Sequence, residues 1–183
     1  DDWYRFGEAY PAGYECWWGV DSLPDVEELN PGYQELICGE DGVIRKWLRL
    51  GASGWRLDVA DELPDSFIAA IRRACKTEQK DALLLGEVWE DASHKISYDR
   101  LREYLLGQEL DCTMHYPFRD GAVAFLLGQK TAVAFAEEME SIRENYPETA
   151  LYGALNLVGT HDTPRILTVL GEAPEGLTEA ERE

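Results

Sequence analysis

The sequence predicts an α/β protein built on a parallel sheet, specifically the central βα units of a partial (β/α)8 barrel of the TIM type. Two observations carry this. Apolar runs end three times in a carboxylate: Gly54-Trp55-Arg56-Leu57-Asp58, Leu83-Leu84-Leu85-Gly86-Glu87, and Leu155-Asn156-Leu157-Val158-Gly159-Thr160-His161-Asp162. Amphipathic stretches of helical period separate these runs, and strands alternating with helices form parallel sheets. In a barrel every strand points its C-terminal end to one face, so acids distant in sequence converge there. The chain has 183 residues, against about 250 in a closed barrel. A piece of a barrel, truncated at both ends and inactive by itself, is therefore expected.

The elements follow in order. Residues 1–34 are rich in aromatics and turn formers (Trp3-Tyr4, Tyr10-Pro11-Ala12-Gly13-Tyr14, Cys16-Trp17-Trp18-Gly19, Asn30-Pro31-Gly32-Tyr33) and predict a long loop. Its rings either pack the loop onto the core or offer flat apolar faces to the CH surface of a sugar. Leu36, Ile37, Val43, Ile44, Trp47 and Leu48 fall at helical spacings across residues 33–50, with Gly51 as a stop, and predict one helix. After the Asp58 strand, Pro64 and Asp65 open a helix running through Ala74, and residues 81–87 form the next strand, which completes a βαβ unit. Residues 98–106, with Leu101, Leu105 and Leu106, predict a helix, and residues 109–116 a weaker strand. Residues 122–127 and 132–146 predict further helix and 154–159 the last clear strand, before Pro164-Arg165-Ile166-Leu167 opens another helix. The closing residues 176–183 read as the first turns of a helix with Thr178 as its cap.

The net charge of −19 argues against nucleic acid or an anionic membrane as a partner, because both are bound through clustered Lys and Arg. A neutral substrate fits better. No apolar run approaches the ~20 residues of a membrane span. Cys16, Cys38, Cys75 and Cys112 show neither metal-site nor disulfide spacing, so thiols in a reducing compartment and a cytoplasmic location are expected. These residues call for no cofactor, and calcium is left open for parts of the protein outside this chain. His94 is expected in a loop.

Glycoside cleavage with retention needs a carboxylate nucleophile and a carboxylic acid about 5 Å apart. Arg56 lies two residues before Asp58, hence on the same side of a strand, where a guanidinium holds a carboxylate charged and oriented. Glu87 has Leu85, Val88 and Trp89 around it, and an apolar setting disfavours the ionised form, which suits a proton donor. Asp162, beside His161, is placed to bind sugar hydroxyls and to favour a positive oxocarbenium-like centre. His115, at a strand end, is either a substrate contact or a structural histidine.

The motifs Gly54-Trp55-Arg56-Leu57-Asp58-Val59-Ala60-Asp61-Glu62, Gly86-Glu87-Val88-Trp89 and Gly159-Thr160-His161-Asp162 resemble the second, third and fourth sequence regions of the α-amylase family, glycoside hydrolase family 13. Leu23-Pro24-Asp25-Val26 resembles the extra region at the end of that family's inserted domain. Met114-His115-Tyr116-Pro117 and His161-Asp162-Thr163-Pro164-Arg165 are similar to the branch containing neopullulanase, cyclomaltodextrinase and maltogenic amylase. The resemblance implies Asp58 as nucleophile, Glu87 as acid/base and Asp162 as transition-state stabiliser. It implies Arg56 and His161 as supports and Glu62 on the acceptor side. Asp61 and His115 stand where that branch more often has Asn, and the family's first region has no counterpart here.

The implied organisation is the end of an inserted loop domain (1–34), the central part of the barrel (35–173) and a truncated following element (174–183). The implied activity is retaining hydrolysis of α-1,4 and/or α-1,6 glucosidic bonds in starch-derived oligosaccharides, cyclodextrins or pullulan. An α-glucan is the expected partner, and a homodimer is one expectation for the full-length protein. The alternatives are an α-glucan transglycosylase or branching-type enzyme, and a non-catalytic glycan-binding homologue.

Overall fold

The computed structural model describes residues 2–171. These form two compact units, one of residues up to Arg56 together with Asp61–Leu84, the other of Leu57–Ala60 together with residues from Leu85 onward. The expected helix at 176–183 and its cap Thr178 lie outside the described residues.

In the first unit, residues before Asn30 form a loop braced by isolated antiparallel bridges, Tyr4 to Val26, Phe6 to Tyr14 and Cys16 to Pro24. Asn30 then caps helix α1 (Pro31–Cys38): its side chain accepts the Gly32 and Tyr33 N–H groups, and Pro31 supplies the preset backbone angle of a first helical residue. The single helix expected over 33–50 is two. The chain breaks after Cys38 and resumes as α2 (Val43–Arg49). The break falls at Gly39, which leaves the helix with extended backbone, and the turn is so tight that a Cβ at Gly39 would lie 2.4 Å from the Glu35 carbonyl oxygen and one at Gly42 2.8 Å from that of Ile37, so only glycine fits there. Gly51, at φ +102°, ends α2 as expected.

Strand β1 (Gly54–Leu57) leads through a short 3₁₀ turn to α3 (Asp65–Glu78), which outruns the expected Ala74. Phe67, Ile68, Ile71, Ala74 and Cys75 recur at helical spacing and are buried. Burying each of the larger side chains contributes about 1.5–3 kcal/mol. Strand β2 (Leu83–Gly86) follows, with Leu83 and Leu84 in this unit and Leu85 and Gly86 in the second. A Cβ at Gly54 would lie 2.2 Å from the Leu83 carbonyl oxygen, so this approach of the strands requires glycine.

In the second unit, the helix expected over 98–106 is absent. Residues Ile96–Ser97 (β3) and Arg100–Leu101 (β4) form a tight antiparallel hairpin. The two turn residues, Tyr98 and Asp99, both adopt left-handed backbone, φ +52° and +58°, the conformation that matches the twist of a two-residue hairpin. Strand β5 (Cys112–His115) follows and pairs in parallel with β2, Leu85 opposite Cys112. Helix α4 (Tyr116–Leu126) begins six residues earlier than expected, directly off the strand. Next come α5 (Ala132–Asn145), capped by Thr131, and the short α6 (Glu148–Gly153), which the sequence pattern did not indicate. The strand expected over 154–159 is regular only at β6 (Leu155–Asn156), parallel to β5, and α7 (Ile166–Gly171) follows as expected.

The sheet order is β1-β2-β5-β6. Leu83 N–H donates to Ser53 and Glu87 N–H to Leu57, so both chains advance in the same direction along this pair too. Leu85, Cys112, Met114 and Tyr116 form a buried cluster in the second unit, with Leu157 against it. Among the described residues no helix is long and apolar enough to cross a membrane.

Candidate active site

Asp58 is the first residue past β1, in an exposed turn. Val59 follows with φ +43°, a left-handed conformation that a β-branched side chain strongly resists. Such a residue costs about 1–3 kcal/mol and persists only where its surroundings fix it. Glu87 does the fixing. Its N–H donates to the Leu57 carbonyl at 2.9 Å, its carbonyl accepts the Ala60 N–H at 3.1 Å, and its side-chain Oε2 accepts the Val59 N–H at 2.8 Å. The segment that carries Asp58 is thus laced to Glu87 on both flanks. The buried Arg102 adds a long contact of 3.4 Å from Nη2 to the Ala60 carbonyl.

Glu87 is itself only 5% exposed. Its second carboxylate oxygen, Oε1, accepts the Trp89 indole N–H at 3.1 Å. The Trp89 ring lies flat on the fully buried Tyr116 ring, 4.3 Å between centroids and 11° between planes. Tyr116 donates its hydroxyl to Thr160 Oγ1 at 3.4 Å, and the same Oγ1 accepts the Asp162 N–H at 3.2 Å. Thr160 N–H in turn donates to Thr163 Oγ1. A contact path therefore runs from the Glu87 carboxylate through two aromatic rings to the turn that carries His161 and Asp162. Both of those side chains are exposed, with His161 Nε2 lying 3.2 Å from Asp162 Oδ2.

Asp58, Glu87, His161 and Asp162 all belong to the second unit. Arg56 and Glu62 belong to the first and are described there. Arg56 is half-buried on β1, and Glu62 ends the 3₁₀ turn Ala60–Glu62, its Oε1 accepting the Trp18 indole N–H at 3.3 Å. His94 is an exposed turn residue near Asp91 and Ser93.

His115, open between two readings in the sequence, caps a helix. It is buried, and its Nδ1 accepts the Phe118 N–H at 2.9 Å at the start of α4. Burial pushes its pKa below the ordinary imidazole range. With Nδ1 as acceptor, the neutral ring carries its proton on Nε2.

Arg102 had no signal as a site residue in the sequence, while Val59, Trp89 and Tyr116 stood within the motifs quoted above without a role of their own. Trp89, two residues after Glu87, was visible as an apolar neighbour and a member of the motif, but its role as N–H donor to Glu87 was not. Among the described residues no group of three or more His, Cys, Asp or Glu side chains is placed to hold a metal ion.

Against known proteins, the sequence profile described as "Alpha amylase, catalytic domain" matches residues 13–182. An amylopullulanase of Thermoanaerobacterium thermosulfurigenes is 36% identical over 93% of this chain and 10% of its own length. Neopullulanase 2 of Thermoactinomyces vulgaris is 36% identical over 93% of this chain and 28% of its own. The solved structure of cyclic α-maltosyl-(1→6)-maltose hydrolase from Arthrobacter globiformis, in complex with maltose, superposes with a TM-score of 0.79 at 31% identity, over 91% of this chain and 37% of that one. The chain spans 10–29% of the length of the curated relatives it matches.

Proposed function

The chain belongs to the α-amylase family (glycoside hydrolase family 13), as part of its barrel catalytic domain, and on that premise we propose that it carries the catalytic acids of a retaining α-glucan hydrolase. The observation that carries this reading is the Glu87 carboxylate bonded to the backbone N–H of Val59, the residue directly after Asp58. It supports a pair of acids at adjacent strand ends, one exposed and able to reach a substrate, the other buried and fixed in aim.

In this reading Glu87 gives its proton to the glycosidic oxygen while Asp58 attacks the anomeric carbon. The carbon–oxygen bond breaks, the leaving glucan takes the proton, and a glycosyl ester remains on Asp58. Water then attacks the same carbon, Glu87 takes its proton, and Asp58 is released with overall retention. Asp162 favours the positive charge that develops at the sugar ring in both steps. Arg56 and His161 orient these carboxylates, and Glu62 lies on the acceptor side. The ligand is an α-1,4- or α-1,6-linked glucan, in line with the names of the relatives. The inserted-domain end (1–34), the barrel centre (35–173) and the following element (174–183) remain the proposed division of the chain.

The test is the configuration of the first product of the complete protein carrying this chain, followed by proton NMR on maltooligosaccharide. The α-anomer should appear first and then mutarotate. Initial release of the β-anomer would contradict retention and with it this assignment.

A further inference from the structure

We propose that Arg102 is a positioning residue for Asp58: it secures the turn that carries the nucleophile through a contact independent of Glu87, and keeps it secured while Glu87 gives and takes its proton. The roles of Asp58 and Glu87 rest on the function proposed above. Arg102 inverts the usual partition of its segment. Leu101, on β4, is 61% exposed, whereas the arginine beside it is 6% exposed. Ordinary packing would bury the leucine and leave the guanidinium in water, because a charge loses its hydration on burial.

The backbone delivers this ion to the interior. β3 and β4 turn back on each other through Tyr98 and Asp99, and the Arg102 N–H donates to the Lys95 carbonyl at 2.8 Å, which closes the base of the hairpin. The guanidinium then lies over the fully buried ring of Tyr104, 4.7 Å from its centroid. From that seat Nη2 makes its long, charge-assisted contact of 3.4 Å with the Ala60 carbonyl.

Ala60 stands two residues past Asp58 and is fully buried. The Glu87 carbonyl holds its N–H, and Arg102 takes its carbonyl. Between Asp58 and Ala60 lies Val59 at φ +43°, a strained conformation that relaxes if its flanks are released. Relaxation would rotate the backbone that sets the direction of Asp58. One of the flanking bonds, from the Val59 N–H to Glu87 Oε2, changes strength in the proposed reaction, since a carboxylate accepts more strongly than a carboxylic acid. A guanidinium keeps its charge throughout. Arg102 therefore secures the turn in the state in which Glu87 holds it least.

The experiment follows the rate at which a fluorinated α-glucosyl fluoride labels Asp58 in the complete protein, a step that needs little help from a proton donor because fluoride leaves readily. Arg102→Met keeps an apolar stem over Tyr104 and removes the donor. Labelling should slow about tenfold at saturation, with the half-saturating concentration changed less than about twofold. Arg102→Lys keeps the buried charge, and with it the better prospect of folding, but loses the planar group that rests on Tyr104; it should slow about fivefold. Either variant, folded and labelling at the parent rate, would overturn the proposal. Val59→Gly separates positioning from plain support of the fold. Glycine keeps the N–H that Glu87 accepts and takes left-handed backbone without strain, so in this background either Arg102 substitution should slow labelling by less than about twofold. Equal slowing with and without Val59→Gly would make Arg102 a structural residue and overturn the proposal as well. If the parent itself takes no label on Asp58, the nucleophile assignment fails first and this proposal fails with it.

Discussion

Glu87 and Asp162 each follow a strand of one parallel sheet, in the same unit, yet the fold holds them in opposite ways. Glu87 is buried, with each carboxylate oxygen accepting an N–H donor, the Val59 backbone on one side and the Trp89 indole on the other. Asp162 is exposed on a turn organised by Thr160 and Thr163, and its carboxylate faces the adjacent His161. A carboxyl with both oxygens already engaged has its direction set before any ligand arrives, which is what proton transfer to one particular oxygen demands. A charge acting through space on a developing cation tolerates a looser mount. The contrast in packing therefore matches the contrast in proposed roles.

The largest effects should come from removing the two acids in the complete protein. Glu87→Gln and Asp162→Asn should each lower kcat/KM on maltooligosaccharides about 100-fold or more. They should separate on substrates with very acidic leaving groups, where the glycosylation step of Glu87→Gln recovers most of its rate while Asp162→Asn stays slow. Parallel losses on both substrate types would erase the distinction.

Stability should divide the same two positions. Glu87→Ala leaves the Val59 N–H and the Trp89 indole N–H without their acceptor and should cost about 2–3 kcal/mol by denaturant unfolding. Asp162→Ala should stay within about 0.5 kcal/mol. Equal costs would mean that Glu87 is no better anchored than Asp162.

A smaller effect is expected from Trp89→Phe. It preserves the stack on Tyr116 and removes only the N–H donor to Oε1, so kcat should fall about fivefold with KM little changed. An unchanged kcat would show that the Trp89 N–H does not set the aim of Glu87.

The contrast between well-anchored and loose acids was only partly legible in the sequence. The strands at Gly54 and Leu83 and the helix from Asp65 were readable because their apolar residues keep one period over several positions. The helix expected over 98–106 failed because Leu101, Leu105 and Leu106 mimic helical spacing, while the conformation was decided by two left-handed residues at Tyr98 and Asp99. The merged helix at 33–50 failed for a related reason: the spacing of Leu36, Ile37, Val43 and Ile44 spans a break made by the close backbone approach at Gly39 and Gly42. Asp58, Glu87 and Asp162 could be picked out as strand-end acids. That Glu87 is gripped by the backbone beyond Asp58 could not, because the strained φ of Val59 leaves no trace in residue type.

His115 extends the comparison to a third polar residue at a strand end, and the effect expected there is the smallest. Like Glu87 it is buried and accepts a backbone N–H, but it is an imidazole whose pKa burial pushes below its ordinary value. Burial lowers its folded pKa, so the unfolded chain binds the proton first as pH falls. Its contribution is intact above the ordinary imidazole range and declines as pH drops through that range toward the lowered folded value. His115→Asn can still cap α4 through its side-chain oxygen and cannot titrate there, so the decline in stability between pH 7 and 5 should flatten. An identical pH dependence in the variant would remove His115 as its source.

The central claim, that Asp58 is the nucleophile beside a fixed Glu87, is tested most directly by trapping the intermediate. The complete protein, treated with a slow fluorinated α-glucosyl substrate and digested, should yield a glucosylated peptide spanning Gly54 to Asp61 with the sugar on Asp58. A label on Glu87 or Asp162, or none under conditions of measurable turnover, would contradict the account.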